Sequence, residues 1–255
     1  MNTKTRPLNY AGITDIGRVR EENQDRWFAD PELGLYMVAD GMGGTVGGGT
    51  AAEAVITILP RLIRAGLNDI DRLDDPEATK CVLGALSEMS DRLRNESQEQ
   101  LGFKGMGSTV VLVLVQGSTG LVAHLGDSRA YRLREDQLEQ LTNDHSIVQL
   151  LVEGGHIDTD EAKTHPSRGA LTRFVGMDGE AMPEAQFIDI APGDRLLLCS
   201  DGLSGMVGDD QLQSIIEHHP TAEDACESLV SAANEAGGKD NITAVVVSVG
   251  ATSND

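Results

Sequence analysis

The hydrophobic positions of the chain alternate between blocks typical of strands and blocks typical of helices. The segment "LYMVA", residues 35–39, predicts a buried strand because it is a short, continuous apolar run. After a glycine-rich stretch, "TAAEAVITIL" predicts a helix that extends as far as Pro60. Residues 76–100 predict a second helix, because their apolar side chains recur at the spacing of one helix face. These side chains are Val82, Leu86, Met89 and Leu93.

The second half of the chain begins with strands and ends with helices and a strand. The segments "STVVLVLVQG" and "GLVAHLGDSRAYRL" are rich in β-branched residues and predict a hairpin that turns through Ser118 and Thr119. The apolar run in "DRLLLCSDGL" and the closing "NITAVVVSVG" predict two more strands. Between them, two amphipathic helices are expected, and Gly237 and Gly238 should end the second. Their apolar faces hold Leu212, Ile215 and Ile216, then Ala222, Cys226, Leu229 and Ala233.

Residues 144–176 differ from the rest of the chain. They combine short helical pieces, several glycines and the histidine-containing "DHS", "GGH" and "THP", without a strand pattern. Such a segment predicts a surface excursion or flap. Because no linker-like tract or internal repeat interrupts the alternation, residues 1–255 are expected to form a single α/β domain.

Composition and charge restrict the environment and the partners. With 20 basic and 41 acidic residues, the formal net charge is −21, which argues against a nucleic-acid or anionic-membrane partner. The three cysteines form no metal-type pair and are odd in number, which indicates a reducing compartment. No segment has the pattern of a signal peptide or the ~18 apolar residues of a membrane span. A cytoplasmic protein is therefore expected.

Five aspartates lie at the edges of apolar elements, mostly beside glycine or asparagine. A single aspartate in such a place is usually a turn or capping residue. Five that converge would repel one another and would require protonation or bound cations. Oxygen ligands without a His/Cys cluster favour magnesium or manganese, and less strongly calcium, over zinc. A pair of such ions can acidify a bridging water and support displacement at phosphorus. The aspartates are Asp25, Asp40, Asp127, Asp201 and Asp240.

Seven short motifs carry a resemblance to a known family. They are "RVREENQD", "VADGMGG", "MGSTVV", "HLGDSRAYR", "DHS", "LLLCSDGL" and "GGKDNITAVVV". In order and spacing the chain resembles the metal-dependent protein phosphatase family, type 2C, particularly its compact bacterial members, over about residues 10–250. The resemblance implies an α+β fold with a central antiparallel β-sandwich flanked by pairs of helices, in four αββα layers. It also implies dephosphorylation of phosphoserine and phosphothreonine in proteins, opposite a serine/threonine kinase, by a monomer.

The same resemblance implies a role for each aspartate at a di- or trinuclear Mn or Mg site. Asp40 is similar to the carboxylate that bridges two core ions, with the Gly41 carbonyl as a further ligand. Asp201 and Asp240 resemble the other direct ligands, and Asp25 matches an acidic position that often contacts the ions through water. The resemblance further implies that Asp127, with Asp201, holds a third and weaker ion.

The resemblance extends to substrate contacts. Arg20 matches an arginine that binds the substrate phosphate, and its planar fork suits two phosphoryl oxygens; the alternative is an ordinary surface arginine. Ser167, Arg168 and Arg173 fall in the region that resembles the family's flap, where they are expected to touch the phosphoprotein. Some relatives carry a histidine as proton donor where this chain has Thr45, so the general acid is unassigned.

Three other polar residues are expected to support the fold or the site. Arg129 is predicted to pair with a carboxylate, and His124 to be a hydrogen-bonded core histidine because it alternates with Val122 on a strand. His145 is expected to support Asp144 near the site.

The sequence argues against two other classes of phosphate-binding protein and leaves two alternative functions open. A cysteine phosphatase would need an arginine six positions after its cysteine, and those positions hold Ser87, Gly205 and Ala232. The glycines of "GMGGTVGGG" lack the Lys-Ser/Thr sequel of a P-loop and are expected to form tight turns. Two alternatives stay open, namely a catalytically silent domain that binds phosphoproteins and a phosphatase of small phosphate esters.

Overall fold

The structure, a computed structural model, describes residues 7–99 and 105–250, without the side chains of residues 44–46. In these residues the strands are β1 (Leu8–Asp15), β2 (Asp25–Asp30), β3 (Leu35–Met42), β4 (Gly107–Ser108), β5 (Val110–Gln116), β6 (Thr119–Leu125), β7 (Arg129–Arg134), β8 (Gln137–Gln140), β9 (Glu184–Asp189), β10 (Arg195–Cys199) and β11 (Ile242–Val249). The helices are α1 (Gly44–Leu67), α2 (Pro76–Glu99), α3 (Ile147–Glu153), α4 (Thr159–Thr164), α5 (Asp201–Ser204), α6 (Asp209–His218) and α7 (Ala222–Glu235).

Two antiparallel sheets pack face to face between pairs of helices. One sheet has the strand order β1-β11-β10-β7-β8, and the other has the order β2-β3-β5-β6-β9, with β4 paired to β3. One apolar cluster fills the space between the sheets, a second lies beneath α1 and α2, and a third lies beneath α6 and α7. The four-layer αββα sandwich implied by the resemblance is therefore confirmed.

The strand β3 shows why an uninterrupted apolar run suits the centre of this fold. Side chains alternate between the two faces of a strand. Leu35, Met37 and Ala39 accordingly join the core beneath α1 and α2, whereas Tyr36 and Val38 join the core between the sheets. Because both faces are covered, both sets of positions are apolar.

No helix in the described residues combines the length and apolar character that a bilayer crossing requires.

The first helix differs from its prediction at both ends. It was expected to stop at Pro60, but α1 continues through Pro60 to Leu67. A proline in a helix interior removes one backbone hydrogen bond, and the burial of Leu59 and Ile63 on either side offsets that loss. Of the glycines expected to form turns, those from Gly44 onwards belong instead to the start of α1, whereas Gly41 lies in β3 and Gly43 precedes the helix with a φ of 128°. A Cβ on Gly41 would lie 2.0 Å from the Gly48 carbonyl oxygen, so these glycines let helix and strand approach closely.

The segment predicted as one strand after the hairpin turn is two strands in different sheets. The β5–β6 hairpin turns at Gly117 and Ser118, with a positive φ of 62° at Gly117. Strand β6 then ends at Leu125, and β7 begins at Arg129 in the opposite sheet. The chain changes sheets at Gly126, whose φ of 120° is accessible mainly to glycine. The excursion at residues 144–176 contains α3, α4 and no named strand, as predicted.

A close backbone contact joins the element after β10 to the start of β11. Gly202, in the short helix α5, lies against Asn241 so tightly that a Cβ would be 1.9 Å from the Asn241 carbonyl oxygen. Asp201 and Asp240 are the neighbours of these two residues in sequence. The contact therefore fixes how near the two aspartates lie.

Gly202→Ala should destabilise the protein by about 1–3 kcal/mol, because overpacking against backbone atoms forces the chain to shift. Gly84→Ala is the matched control, since Gly84 lies in α2 with no atom within 4 Å of the added Cβ. That substitution should stabilise the protein by about 0.5–1 kcal/mol, because alanine loses less backbone entropy in a helix. Urea unfolding midpoints of the two variants measure both effects, and equal midpoints would contradict this account.

Candidate metal centre

Asp25 and Asp40 face each other across neighbouring strands. They are directly paired residues of β2 and β3. Asp25 is fully buried, and its Oδ2 accepts hydrogen bonds of 2.7 Å from Ser200 and 2.7 Å from Thr243. Its Oδ1 has no hydrogen-bond partner among the described residues. The backbone of Asp40 is fixed by Thr109, which bonds both its N–H (3.2 Å) and its carbonyl oxygen (2.8 Å).

Asp201 and Asp240 come from the other sheet. Asp201 begins α5, one residue beyond the end of β10, and Asp240 lies shortly before β11. The Oδ1 atom of Asp201 is buried and likewise has no hydrogen-bond partner in the described part of the chain. Asp240 accepts a hydrogen bond of 2.9 Å from the Asn241 N–H through Oδ1. Carboxylates from both sheets therefore converge at one end of the sandwich.

Asp127 completes the group from the turn between β6 and β7. Burial, followed by the negative charges of Asp201 and Asp144, raises its pKa to about 8. Gly126 and Ser128 flank it, and the Ser128 hydroxyl lies 2.6 Å from that of Thr109. Since Thr109 also holds the backbone of Asp40, the Asp127 turn and β3 share one anchor.

The electrostatics of the group are those of buried anions held close together, with only partial countercharge from Arg20 at Asp240. Burial raises the pKa of Asp25 to about 6, with contributions from the charges of Asp201 and Asp240. Burial and the charges of Asp25, Asp201, Asp127 and Asp240 hold the pKa of Asp40 well above its usual value. Burial and the charge of Asp240 also raise the pKa of Asp201. The site therefore favours protons or other cations.

Arg20 lies at the exposed edge of the group. Its Nη2 donates a hydrogen bond of 2.6 Å to Asp240 Oδ2. Asn241 ties the loop that carries Arg20 to β11, because its amide donates to the carbonyl oxygens of Ile16 (3.0 Å) and Glu22 (2.9 Å). Its Oδ1 accepts from the Gln24 N–H at 2.8 Å. The guanidinium is held beside the aspartates but remains open to solvent.

Gly41 follows Asp40 at the contact between β3 and α1. Its N–H donates to the Gln24 carbonyl oxygen at 3.2 Å. Its own carbonyl oxygen lies 2.7 Å from where a Cβ on Gly48 would stand. Because Gly48 has no side chain, that carbonyl group is not covered from this direction.

A cavity of about 680 Å³ opens next to the aspartates, and Asp127, Asp201 and Asp240 line it. The 144–176 segment supplies one wall, including Arg168 and Lys163. Arg168 is therefore near the aspartates. Arg173 and Ser167 do not line this cavity; Arg173 binds Glu184 at 2.6 Å, and the Ser167 N–H donates to His165 Nδ1 at 3.1 Å.

The supporting residues match their predictions in two cases of three. Arg129 binds Asp144 through two hydrogen bonds of 2.8 and 2.7 Å, as expected for a structural pair. His124 is buried and its Nε2 lies 2.8 Å from the Asn143 carbonyl oxygen, as expected for a core histidine. The expectation that His145 supports Asp144 was wrong, because its ring contacts the backbone of Gly126 instead.

Sequence reasoning missed the neutral residues that hold the aspartates in place. Ser200 and Thr243 bond Asp25, Asn241 bonds Asp240, and Thr109 bonds Asp40. Each lies within a motif quoted above or next to an aspartate in sequence. The serine, threonine and asparagine side chains alone gave no signal that separates them from ordinary turn and strand residues.

The donor set fits hard divalent cations. The buried, unpartnered oxygens of Asp25 and Asp201 are acceptors that the described protein groups leave unsatisfied. Every candidate ligand atom is a carboxylate or carbonyl oxygen, which suits magnesium or manganese. Cations would also remove the repulsion that raises the pKa values of these carboxyl groups.

Comparisons with known proteins agree with this geometry. The sequence model of the family described as "Protein phosphatase 2C" matches residues 18–247. The chain is similar to the serine/threonine phosphatase stp of Listeria innocua, with 32% identity over 237 residues, 92% of this chain and 93% of that protein. The serine/threonine phosphatase PstP/Ppp of Mycobacterium tuberculosis has a similar structure, with a TM-score of 0.82 and 33% identity over 96% of this chain and 99% of that chain. A structure of the PstP catalytic domain with 2 manganese ions is also similar, with a TM-score of 0.80, 33% identity and the same coverage, 96% and 99%.

The metal-free protein should become more stable as the pH falls from 9 to 6. A raised carboxyl pKa in the folded state means that ionisation opposes folding, so this cost is full above about pH 8 and shrinks as Asp127 and then Asp25 take up protons. Thermal unfolding midpoints in a chelating buffer measure the trend, with about 2–4 °C expected per 1 kcal/mol. Asp127→Asn should flatten the upper part of the curve. A midpoint that falls steadily from pH 9 to pH 6 would contradict the assigned repulsion.

Proposed function

The chain belongs to the protein phosphatase 2C family and is a serine/threonine phosphatase, and we propose that it hydrolyses phosphoserine and phosphothreonine in proteins at a di- or trinuclear manganese or magnesium site. The observation that most strongly supports the metal site is the convergence of five aspartates from both sheets, with raised carboxyl pKa values and two buried oxygens that lack a hydrogen-bond partner among the described residues. The chain, residues 1–255, acts as one catalytic domain in this proposal.

The proposed ligands follow from the position of each carboxylate. Asp40 is central because the charges of the four other aspartates all act on it, so it suits the bridge between two core ions, with the Gly41 carbonyl beside it. Asp201 and Asp240 are the other proposed ligands of these two ions. Asp25 is proposed to contact them through Oδ1. Asp127, which interacts with Asp201, suits a third and weaker ion.

The ions and the protein side chains would supply different parts of the chemistry. When bound, divalent ions supply positive charge that acidifies a water molecule and neutralises phosphoryl oxygens. The chain's own groups hold that charge in place and orient the phosphate. The side chain of Thr45, where some relatives carry a proton donor, lies outside the described side chains, and no residue is assigned as the general acid.

Arg20 is the proposed phosphate ligand. Its ion pair with Asp240 leaves the other guanidinium N–H groups beside the aspartates, and its side chain is 55% exposed, so a phosphate can reach it. A planar guanidinium can donate to two phosphoryl oxygens at once. The ion pair therefore aims Arg20 at the place where a phosphate would meet the ions.

The segment 144–176 is proposed to act as a flap that contacts phosphoprotein substrates. Arg168 supports this, because it lines the same cavity as the aspartates and forms no ion pair with a carboxylate within the described residues. Ser167 and Arg173 are weaker candidates because their contacts lie within the protein. We further propose a monomeric, cytoplasmic enzyme that opposes a serine/threonine kinase.

Asp40→Asn should lower phosphopeptide hydrolysis by more than the ~10–100-fold typical of an outer partner of a metal ligand. The folded state should survive, and the metal-free variant should be at least as stable as the natural protein at pH 8, because one buried repulsive charge is removed. Manganese-dependent hydrolysis and thermal unfolding measure both quantities. Asp178→Asn, at an exposed residue, is the control. Near-normal turnover of Asp40→Asn, or full activity after exhaustive chelation, would disprove the assigned metal site and the dependence of the activity on it.

Arg20→Ala and Arg168→Ala should separate phosphate binding from recognition of the protein substrate. Arg20→Ala should raise KM for both a phosphoserine peptide and a small aryl phosphate, because both carry the phosphate. Arg168→Ala should raise KM for the peptide only. Steady-state kinetics with both substrates give the result, and Lys163→Ala serves as a control because Lys163 lines the cavity but is paired with Asp160. Equal losses on both substrates in Arg168→Ala would remove the flap from substrate selection.

A further inference from the structure

His145 forms two hydrogen bonds with the backbone of Gly126. Its N–H donates to the Gly126 carbonyl oxygen at 3.0 Å, and its Nδ1 accepts a hydrogen bond of 3.1 Å from the Gly126 N–H. The imidazole is 4% exposed, so neither bond competes with bulk water. The N–H and the carbonyl oxygen of Gly126 are thus both hydrogen-bonded to one residue, 19 positions later in the chain.

Gly126 lies at the point where the chain passes from the sheet that contains β6 to the sheet that contains β7. Gly126 has a φ of 120°, and a Cβ there would lie 2.6 Å from the Thr109 side chain. On the far side of Asp127, the Ser128 hydroxyl is bonded to Thr109 at 2.6 Å. Asp127 therefore projects from a turn whose two flanking residues are held, one by His145 and the other by Thr109.

The protonation of the His145 ring follows from its neighbours. Because Nδ1 accepts from an amide, the ring proton of the neutral form is on Nε2. The Nε2 atom is 3.5 Å from Glu184 Oε1, which also binds Arg173 at 2.6 Å. Burial, the stacked His124 ring and Arg173 lower the pKa of His145 to about 4, so the ring is neutral at pH 7 and Nδ1 stays an acceptor.

A metal ion bound by His124, His145 and Glu184 is a competing explanation for this cluster, since their ligand atoms lie within 4.8 Å of one another. The hydrogen bonds argue against it. Coordination through Nε2 would displace the proton that the Gly126 bond places there. The Arg173 guanidinium, 2.6 Å from Glu184 and 3.3 Å from His145 Nε2, already supplies the positive charge.

We propose that His145 is a positioning residue: its two hydrogen bonds to Gly126 hold the turn so that Asp127 points towards Asp201. Glu184 acts on His145, because its carboxylate, 3.5 Å from Nε2, favours a proton on that nitrogen, and Arg173 binds Glu184 at 2.6 Å. The role is analogous to that of outer partners that orient metal ligands, whose loss typically costs about 10–100-fold in metal affinity. The inference rests on the proposed function, in which Asp127 holds the weaker ion.

Two amide substitutions distinguish the two ring nitrogens. His145→Asn places an acceptor close to the position of Nδ1 and should keep the bond to the Gly126 N–H. His145→Gln places its amide near the position of Nε2 and should lose that bond. In calorimetric titrations of the full chain with manganese chloride, His145→Gln should weaken the weakest binding step by about 10–100-fold while the tight steps remain. His145→Asn and the exposed control His218→Gln should bind like the natural protein.

Hydrogen exchange of the Gly126 amide gives a second readout that does not depend on metal or activity. It should accelerate at least ~10-fold in His145→Gln and stay slow in His145→Asn, because only the former loses the acceptor. Equal behaviour of the two variants in exchange and in titration would overturn the proposal. So would loss of the tight steps along with the weak one, which would indicate a general structural role.

Two further measurements keep the inference separate from the proposed function and from failures of folding. Asp127→Asn should abolish the weak step without changing Gly126 exchange; an unchanged weak step would reject the third ion and leave the positioning of the turn to be decided by exchange alone. If His145→Gln does not fold, nitrogen-15 spectra of the natural protein decide. A protonated Nε2 and an unprotonated Nδ1 on His145 support the proposal, and the reverse overturns it.

Discussion

Mutual repulsion among buried carboxylates is the constraint on which this site depends. Asp40 feels the charges of four other aspartates, and its pKa and those of Asp25, Asp127 and Asp201 are raised. Removing such groups from water without countercharge opposes folding. The rest of the sandwich must therefore hold them together against this repulsion, and in the proposed metal site the same repulsion would favour the binding of divalent cations.

Neutral side chains and close backbone contacts across the two sheets hold the aspartates in place. Ser200 and Thr243, from the β10–β11 side, donate to Asp25 of the opposite sheet. The backbone contact of Gly202 with Asn241 sets the separation of the aspartates beside them. Since hydroxyl donors satisfy a carboxylate without cancelling its charge, this scaffold leaves the charge available to metal ions. Arg20 is the exception, because it neutralises part of Asp240 at the exposed edge.

The sequence predicted those parts of the fold whose burial is visible in local patterning. Apolar runs located β3, β10 and β11, and helical spacing located α2, α6 and α7. The path of α1 through Pro60 was not predictable, because tertiary packing overrode the local helix breaker. Strands β8 and β9 carry mixed polar patterns and gave no signal, and the change of sheet at Gly126 depends on long-range contacts. At the site, aspartates at element edges were recognisable from sequence, whereas Thr243 and the Gly126 contact of His145 acquire their roles only in the folded chain.

The central claim is that these aspartates form a metal centre, and anomalous scattering at the manganese edge tests it most directly. Crystals of the natural protein equilibrated with manganese should show two strong peaks within coordinating distance of Asp40, one shared with Asp201 and Asp240. A weaker third peak should lie near Asp127. Peaks only at surface carboxylates, or at His124, His145 and Glu184 with none beside Asp40, would contradict the account.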